Sequence, residues 1–186
     1  MKIHYAALAL GAVFALAGYA ADKPAPTLGS LMVGEIGAAQ GEVVSLAEAM
    51  PADKYSFAPT AGEFKGVRTF EQQMKHIATV NFEVASAVLG VKSPHEAGKA
   101  ENGPDSISGK DAVVKYLKDS FIYAKKAAAS VTAANATEML TSPFGGSKMA
   151  RYSLASVPAW HTFDHYGQSV VYARMNGIIP PASRAQ

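Results

Sequence analysis

Apolar residues in this chain recur at spacings of three and four in four stretches of helical length. No run of β-branched residues alternates with polar ones between turn signals. That pattern predicts helices and gives no indication of strands. The first stretch runs from Leu28 to Met50, with Leu31, Met32, Ile36, Ala39, Val43, Leu46, Ala47 and Met50 on one face and Pro51 as its stop. The second opens on Thr69, whose spacing to Gln72 fits a capping box, and ends at Gly90. Phe70, Met74, Ile77, Val84, Ala85 and Val88 form its stripe, and Asn81 interrupts it. The third starts near Ser108 and reaches about Val131; Thr132–Leu140 reads either as a last turn or as an irregular connector, and Ser142–Lys148 (SPFGGSK) as a turn. The fourth runs from about Val157 to Asn176, with Ser156 as N-cap, Pro158 in the first turn, Gly177 as the left-handed C-cap, and Pro180 and Pro181 beyond.

Four helices of similar length in one chain predict an all-α four-helix bundle. The long connections Ala52–Arg68 and Val91–Ser108 leave room for crossovers. Hydrophobic residues make up 49% and charged residues 17%, a composition that can build a core. Seventeen basic residues stand against 15 acidic ones, and no Lys/Arg cluster traces a phosphate stripe, so nucleic acid is not an expected partner. Cysteine is absent, which removes disulfides, thiolate metal ligands and a cysteine nucleophile.

The first residues follow a different logic. Lys2 precedes an uncharged run, Ala6–Gly18, and Gly18-Tyr19-Ala20 supplies the small residues that a signal peptidase reads. The run of roughly 13 residues is shorter than the ~20 that cross a bilayer. The expected organisation is a signal peptide over 1–20, a Pro-rich linker over 21–27 and the bundle over 28–186. The protein is expected to be exported to the periplasm or secreted, with no stable membrane span once the signal is removed.

The fourth helix carries His161 and His165, two of only five histidines. Residues i and i+4 stack on one helix face, so two imidazoles there can close on one divalent ion. An HxxxH pair is also met on solvated faces, and an ion so held needs a third ligand from another helix. His76, helical and at the rim of the second helix's apolar arc, is the candidate; His95 lies in a loop and His4 in the signal. Gln168 and Tyr172 follow the pair by heptad spacing, and Asn81 suggests a polar site inside the bundle.

The run Asp164-His165-Tyr166-Gly167-Gln168, followed by Tyr172-Ala173-Arg174 and Asn176-Gly177-Ile178-Ile179-Pro180-Pro181, resembles the last helix of the DinB-like superfamily of metal-binding four-helix bundles. Met50–Phe70 resembles that family's first crossover, and Gln73–Asn81 its second helix. The resemblance matches the family's three metal histidines to His76, His161 and His165. It implies a zinc or nickel ion with an open coordination position, and a metal-dependent transferase or hydrolase. A small thiol cofactor, a homodimer, and supporting roles for Asp164, Tyr166, Gln168 and Arg174 belong to the same implication. Low-molecular-weight thiols are concentrated in the reducing cytosol, so an export signal weighs against the thiol more than against the metal. A non-catalytic metal- or ligand-binding bundle is the alternative.

Overall fold

The computed structural model describes residues 25–184, so the expected signal and the first part of the linker lie outside the described residues. Within them, four long helices carry the fold: α1 (Leu28–Ala49), α2 (Phe70–Leu89), α3 (Lys110–Ala129) and α4 (Arg151–Met175). Two short strands, β1 (Met139–Thr141) and β2 (Lys148–Ala150), pair antiparallel between α3 and α4. The architecture is the expected all-α bundle with a small hairpin added.

Each helix begins and ends where local chemistry directs it. Thr27 accepts a hydrogen bond from the Ser30 amide at the head of α1. Thr69 and Gln72 form a reciprocal capping box on α2, and Gly90 closes that helix at φ 68°. α4 begins six residues before the expected Val157. Its first turns are held by burial of Leu154 and Ala155 rather than by a cap. Arg151 fixes the start: its guanidinium binds Glu138 and the Val88 carbonyl at the end of α2. Pro158 therefore sits inside the helix, not in its first turn, and Ser156 bonds back to the Ser153 carbonyl instead of capping. Thr132–Leu140 is the irregular connector of the two readings, and it ends in β1. Three-residue strands are too short to register as an alternating pattern.

α1 and α2 each pack against both α3 and α4, and lie diagonally across the bundle. Asn81 bonds Ser120 and Thr79 meets Tyr116, so α2 and α3 run parallel. His76 meets His161 and Gln73 meets Gln168, so α2 and α4 run antiparallel. Because α2 and α3 are parallel, the connection over 91–109 must travel back along the bundle, a true crossover. It lies on α2: Lys75 Nζ donates to the Pro104 carbonyl, and the His95 ring packs on Phe82 and Tyr116. This cover explains why every residue from Gln73 to Phe82 is buried.

The core is filled by Ile36, Val43, Leu46, Phe70, Met74, Ile77, Leu117, Phe121 and Leu154, all 0% exposed. At one end α1 approaches the backbone of α3 closely. A Cβ on Gly29 would meet the Ala129 and Val131 carbonyl oxygens at 2.9 Å each. Ala is the better helix former by about 1 kcal/mol, but overpacking against immobile backbone costs about 1–3 kcal/mol. Gly29→Ala is therefore expected to lower stability, read as a lower urea midpoint; a raised midpoint would show that the helix ends separate easily.

Candidate metal centre

α2 presents His76 and α4 presents His161 and His165 to one another across the antiparallel pair. The His161 Nε2 atom lies 3.2 Å from His76 Nε2 and 3.1 Å from His165 Nε2. One ligand atom from each of the three lies within 4.8 Å of the others, an arrangement that can hold a metal ion. The i,i+4 spacing on α4 and the third ring from a separate helix come together as the sequence suggested.

What fixes the rings is as informative as their convergence. His76 Nδ1 donates to the Glu101 carbonyl at 2.9 Å, and that oxygen can only accept. The proton is thereby placed on Nδ1, and the His76 Nε2 lone pair faces the cluster. His165 Nδ1 donates to Gln73 Oε1 at 2.6 Å, with the same result. Gln73 in turn donates to Gln168 Oε1 at 3.1 Å, and Gln168 donates to Asp164 at 3.4 Å. Two lone-pair nitrogens thus face His161 Nε2, and one proton there can satisfy only one of them. His161 Nδ1 is buried with no partner among the described residues. Nitrogens each 2.0–2.1 Å from a tetrahedral ion lie about 3.3–3.4 Å apart, close to the spacings here. The donor set fits a divalent cation, and outward donation from ring N–H groups is how ligating histidines are usually oriented.

Burial keeps these rings neutral. It lowers His76 below the usual imidazole range, against the opposing pull of the Glu101 carbonyl. It takes His161 to about 3, with His165 and His76 adding, and His165 to about 4, with His76 adding and Asp164 opposing. In the unfolded chain the same groups titrate near 6.5. Below that pH the unfolded state binds more protons than the folded one, so acid favours unfolding. Stability of the metal-free protein is expected to be complete above about pH 6.5 and to fall progressively toward pH 3. Urea midpoints in chelator across that range would show it, and His161→Ala should flatten the slope; an unchanged slope would mean that these rings are not held neutral by the fold.

The supporting candidates separate cleanly. Gln168 and Asp164 join the relay to His165. Tyr166 turns away to donate to Glu42 on α1 at 2.9 Å, and Arg174 bonds Ser183. Tyr172 bonds the Arg68 carbonyl. Asn81 is not part of this site: it is fully buried in a separate pair with Ser120. His95 is exposed and packs on aromatic rings away from the cluster. Sequence reasoning missed Gln73 and Glu101. Gln73 precedes His76 by three residues, so its helical spacing could have pointed to it. Glu101 acts through a backbone oxygen, which leaves no trace in residue type. Arg68 holds that stretch of the crossover, donating to Asn102 Oδ1 at 2.8 Å and to the Ala100 carbonyl at 3.0 Å. Ala100 and Glu101 both adopt left-handed backbone, at φ 54° and 56°, a strained choice that such anchoring sustains.

His161 also forms part of the wall of a cavity of about 330 Å³ between the β-hairpin and α4. Gln73, which bonds His165, also lines a more polar hollow with Gln168 and Arg68.

The sequence model of the DinB superfamily matches residues 35–169, a span that reaches from α1 through α4 and includes all three histidines. No curated protein matches the chain. With a family match over well over half of its length and the helical bundle to go with it, the chain belongs to the DinB superfamily.

Proposed function

We propose that the protein is an exported metal-dependent enzyme, of the thiol-transfer or hydrolase type, in which His76, His161 and His165 hold one divalent ion, zinc or nickel. The observation that carries this reading is the convergence of three Nε2 atoms whose partner nitrogens on His76 and His165 donate outward. Three neutral imidazoles leave a coordination position open, where a divalent ion lowers the pKa of a water or thiol ligand and polarises a substrate oxygen. The chain's own part is to place and orient. Glu101 and Gln73 fix the ring tautomers, Gln168 and Asp164 support Gln73, and a largely apolar wall lies beside His161. Export is supported by Lys2, the Ala6–Gly18 run and the small residues ending at Ala20; no helix of the described residues is long and apolar enough to cross a membrane.

The test pairs elemental analysis with turnover. Zinc- and nickel-loaded protein would be assayed on 4-nitrophenyl acetate, and on small thiols with 1-chloro-2,4-dinitrobenzene. Turnover present in the loaded protein and lost in His161→Ala supports an enzyme. Retained metal with no turnover on any ester or thiol–electrophile pair favours the non-catalytic bundle. Mass spectrometry of the secreted chain beginning at Ala21 would support export; an intact N-terminus would remove it.

A further inference from the structure

The cavity beside His161 has a definite chemical character. Its walls are Val80 from α2, Phe144 and Met149 from the hairpin, and Val157 and Trp160 from α4. The polar groups are few. Ser142 Oγ accepts from the Phe144 amide at 3.1 Å and keeps its own O–H, and Ser147, Glu101 and His161 complete the polar lining. Among the described residues no Lys or Arg lines it. At about 330 Å³ it falls at the low end of small-molecule pockets, roughly 300–1,000 Å³. An anionic group would meet mostly apolar walls and no Lys or Arg to pair it. The Trp160 ring centroid stands 6.1 Å from that of His161, so an occupant against Trp160 lies next to the histidine cluster.

We propose that this cavity is the specificity pocket for an uncharged, compact, apolar substrate group about the size of one aromatic ring, with Phe144 and Met149 of the hairpin setting the size limit. The group is attached to a donor atom that reaches the ion. The proposal rests on the metal reading above for that donor, but the pocket itself is built from other residues.

Trp160 is the only tryptophan, so intrinsic fluorescence reports on this cavity directly. Zinc-loaded protein would be titrated with imidazole, with 4-phenylimidazole, and with 4-(imidazol-4-yl)benzoate. Affinity is read by calorimetry and location by Trp160 emission. Burying the phenyl ring is expected to make 4-phenylimidazole bind roughly tenfold or more tighter than imidazole. The carboxylated ring should lose that advantage. Met149→Trp, which fills the cavity, should erase the advantage while leaving imidazole binding unchanged. Phe144→Ala, which removes a half-buried wall, should reduce it too and guards against a Met149 variant that folds poorly. Equal affinity for imidazole and 4-phenylimidazole in the parent protein overturns the pocket. Failure of the metal reading looks different: zinc is not retained and imidazole does not bind. In that event benzyl alcohol is added to the metal-free protein. A saturable change in Trp160 emission that Phe144→Ala weakens keeps the pocket, and no change overturns it.

Discussion

His161→Ala is expected to abolish metal-linked stabilisation while costing the metal-free fold little. In the metal-free protein His161 contributes little that holds the fold. Its Nδ1 is buried without a partner among the described residues, and its Nε2 faces two nitrogens that both present lone pairs. Removing it takes away the unpartnered Nδ1 but orphans the facing lone pair that its Nε2 proton had met, so these changes of about 1–3 kcal/mol each largely offset, and what remains is the packing lost at a half-buried ring beside an existing cavity. The metal-bound state is another matter. A ligand that binds only the folded state adds about 2.7 kcal/mol at a hundred times its Kd. The parent should gain that much when zinc is supplied, and the variant nothing. Its affinity should fall by more than the roughly 10–100-fold that loss of a supporting residue causes. Urea midpoints with zinc and with chelator, for both proteins, measure the whole effect. A variant that gains as much from zinc as the parent would place the ion elsewhere.

The second large effect is expected in the crossover, three residues before Glu101. A Cβ on Gly98, which sits at φ 69°, would come 2.1 Å from the Gly103 oxygen. Gly103 cannot retreat. Its amide is bonded to the Ala97 carbonyl at 2.8 Å, and its own Cα backs onto Thr79 and Tyr116. Gly98→Ala must therefore open the stretch over 97–103, and with it the Glu101 carbonyl leaves His76 Nδ1. The expected losses are about 1–3 kcal/mol of stability and roughly 10–100-fold in metal affinity. Gly66→Ala is the control: it shares a positive φ of 80° but has open space around it, so affinity should hold. Zinc affinity unchanged in Gly98→Ala would show that His76 needs no support from Glu101.

How much of this was legible depended on whether a feature is carried by side-chain type and short spacing. The three histidines were, because i,i+4 on α4 and the rim position on α2 are helical periodicities. The capping box at Thr69 and the stop at Gly90 were legible for the same local reason. The start of α4 was not. Pro158 reads as a first-turn residue, and only tertiary contacts around Leu154 and Arg151 extend the helix past it. The hairpin escaped because three residues per strand give almost no period. Asn81 misled: an amide in an apolar stripe marks a buried polar pair as readily as a functional site. The support of His76 by a backbone oxygen of the crossover follows from parallel packing of α2 and α3, which no local pattern specifies.

All three rings come from α2 and α4, with none from α1 or α3. An ion seated among them would be a removable clasp, joining positions 85 residues apart in sequence. Bound to the folded chain alone, it would hold the two helices together by mass action rather than by a lasting bond, and a chelator can undo it. The molecule's survival against proteases would then follow the supply of the ion, and scarcity would remove the protein along with whatever it does.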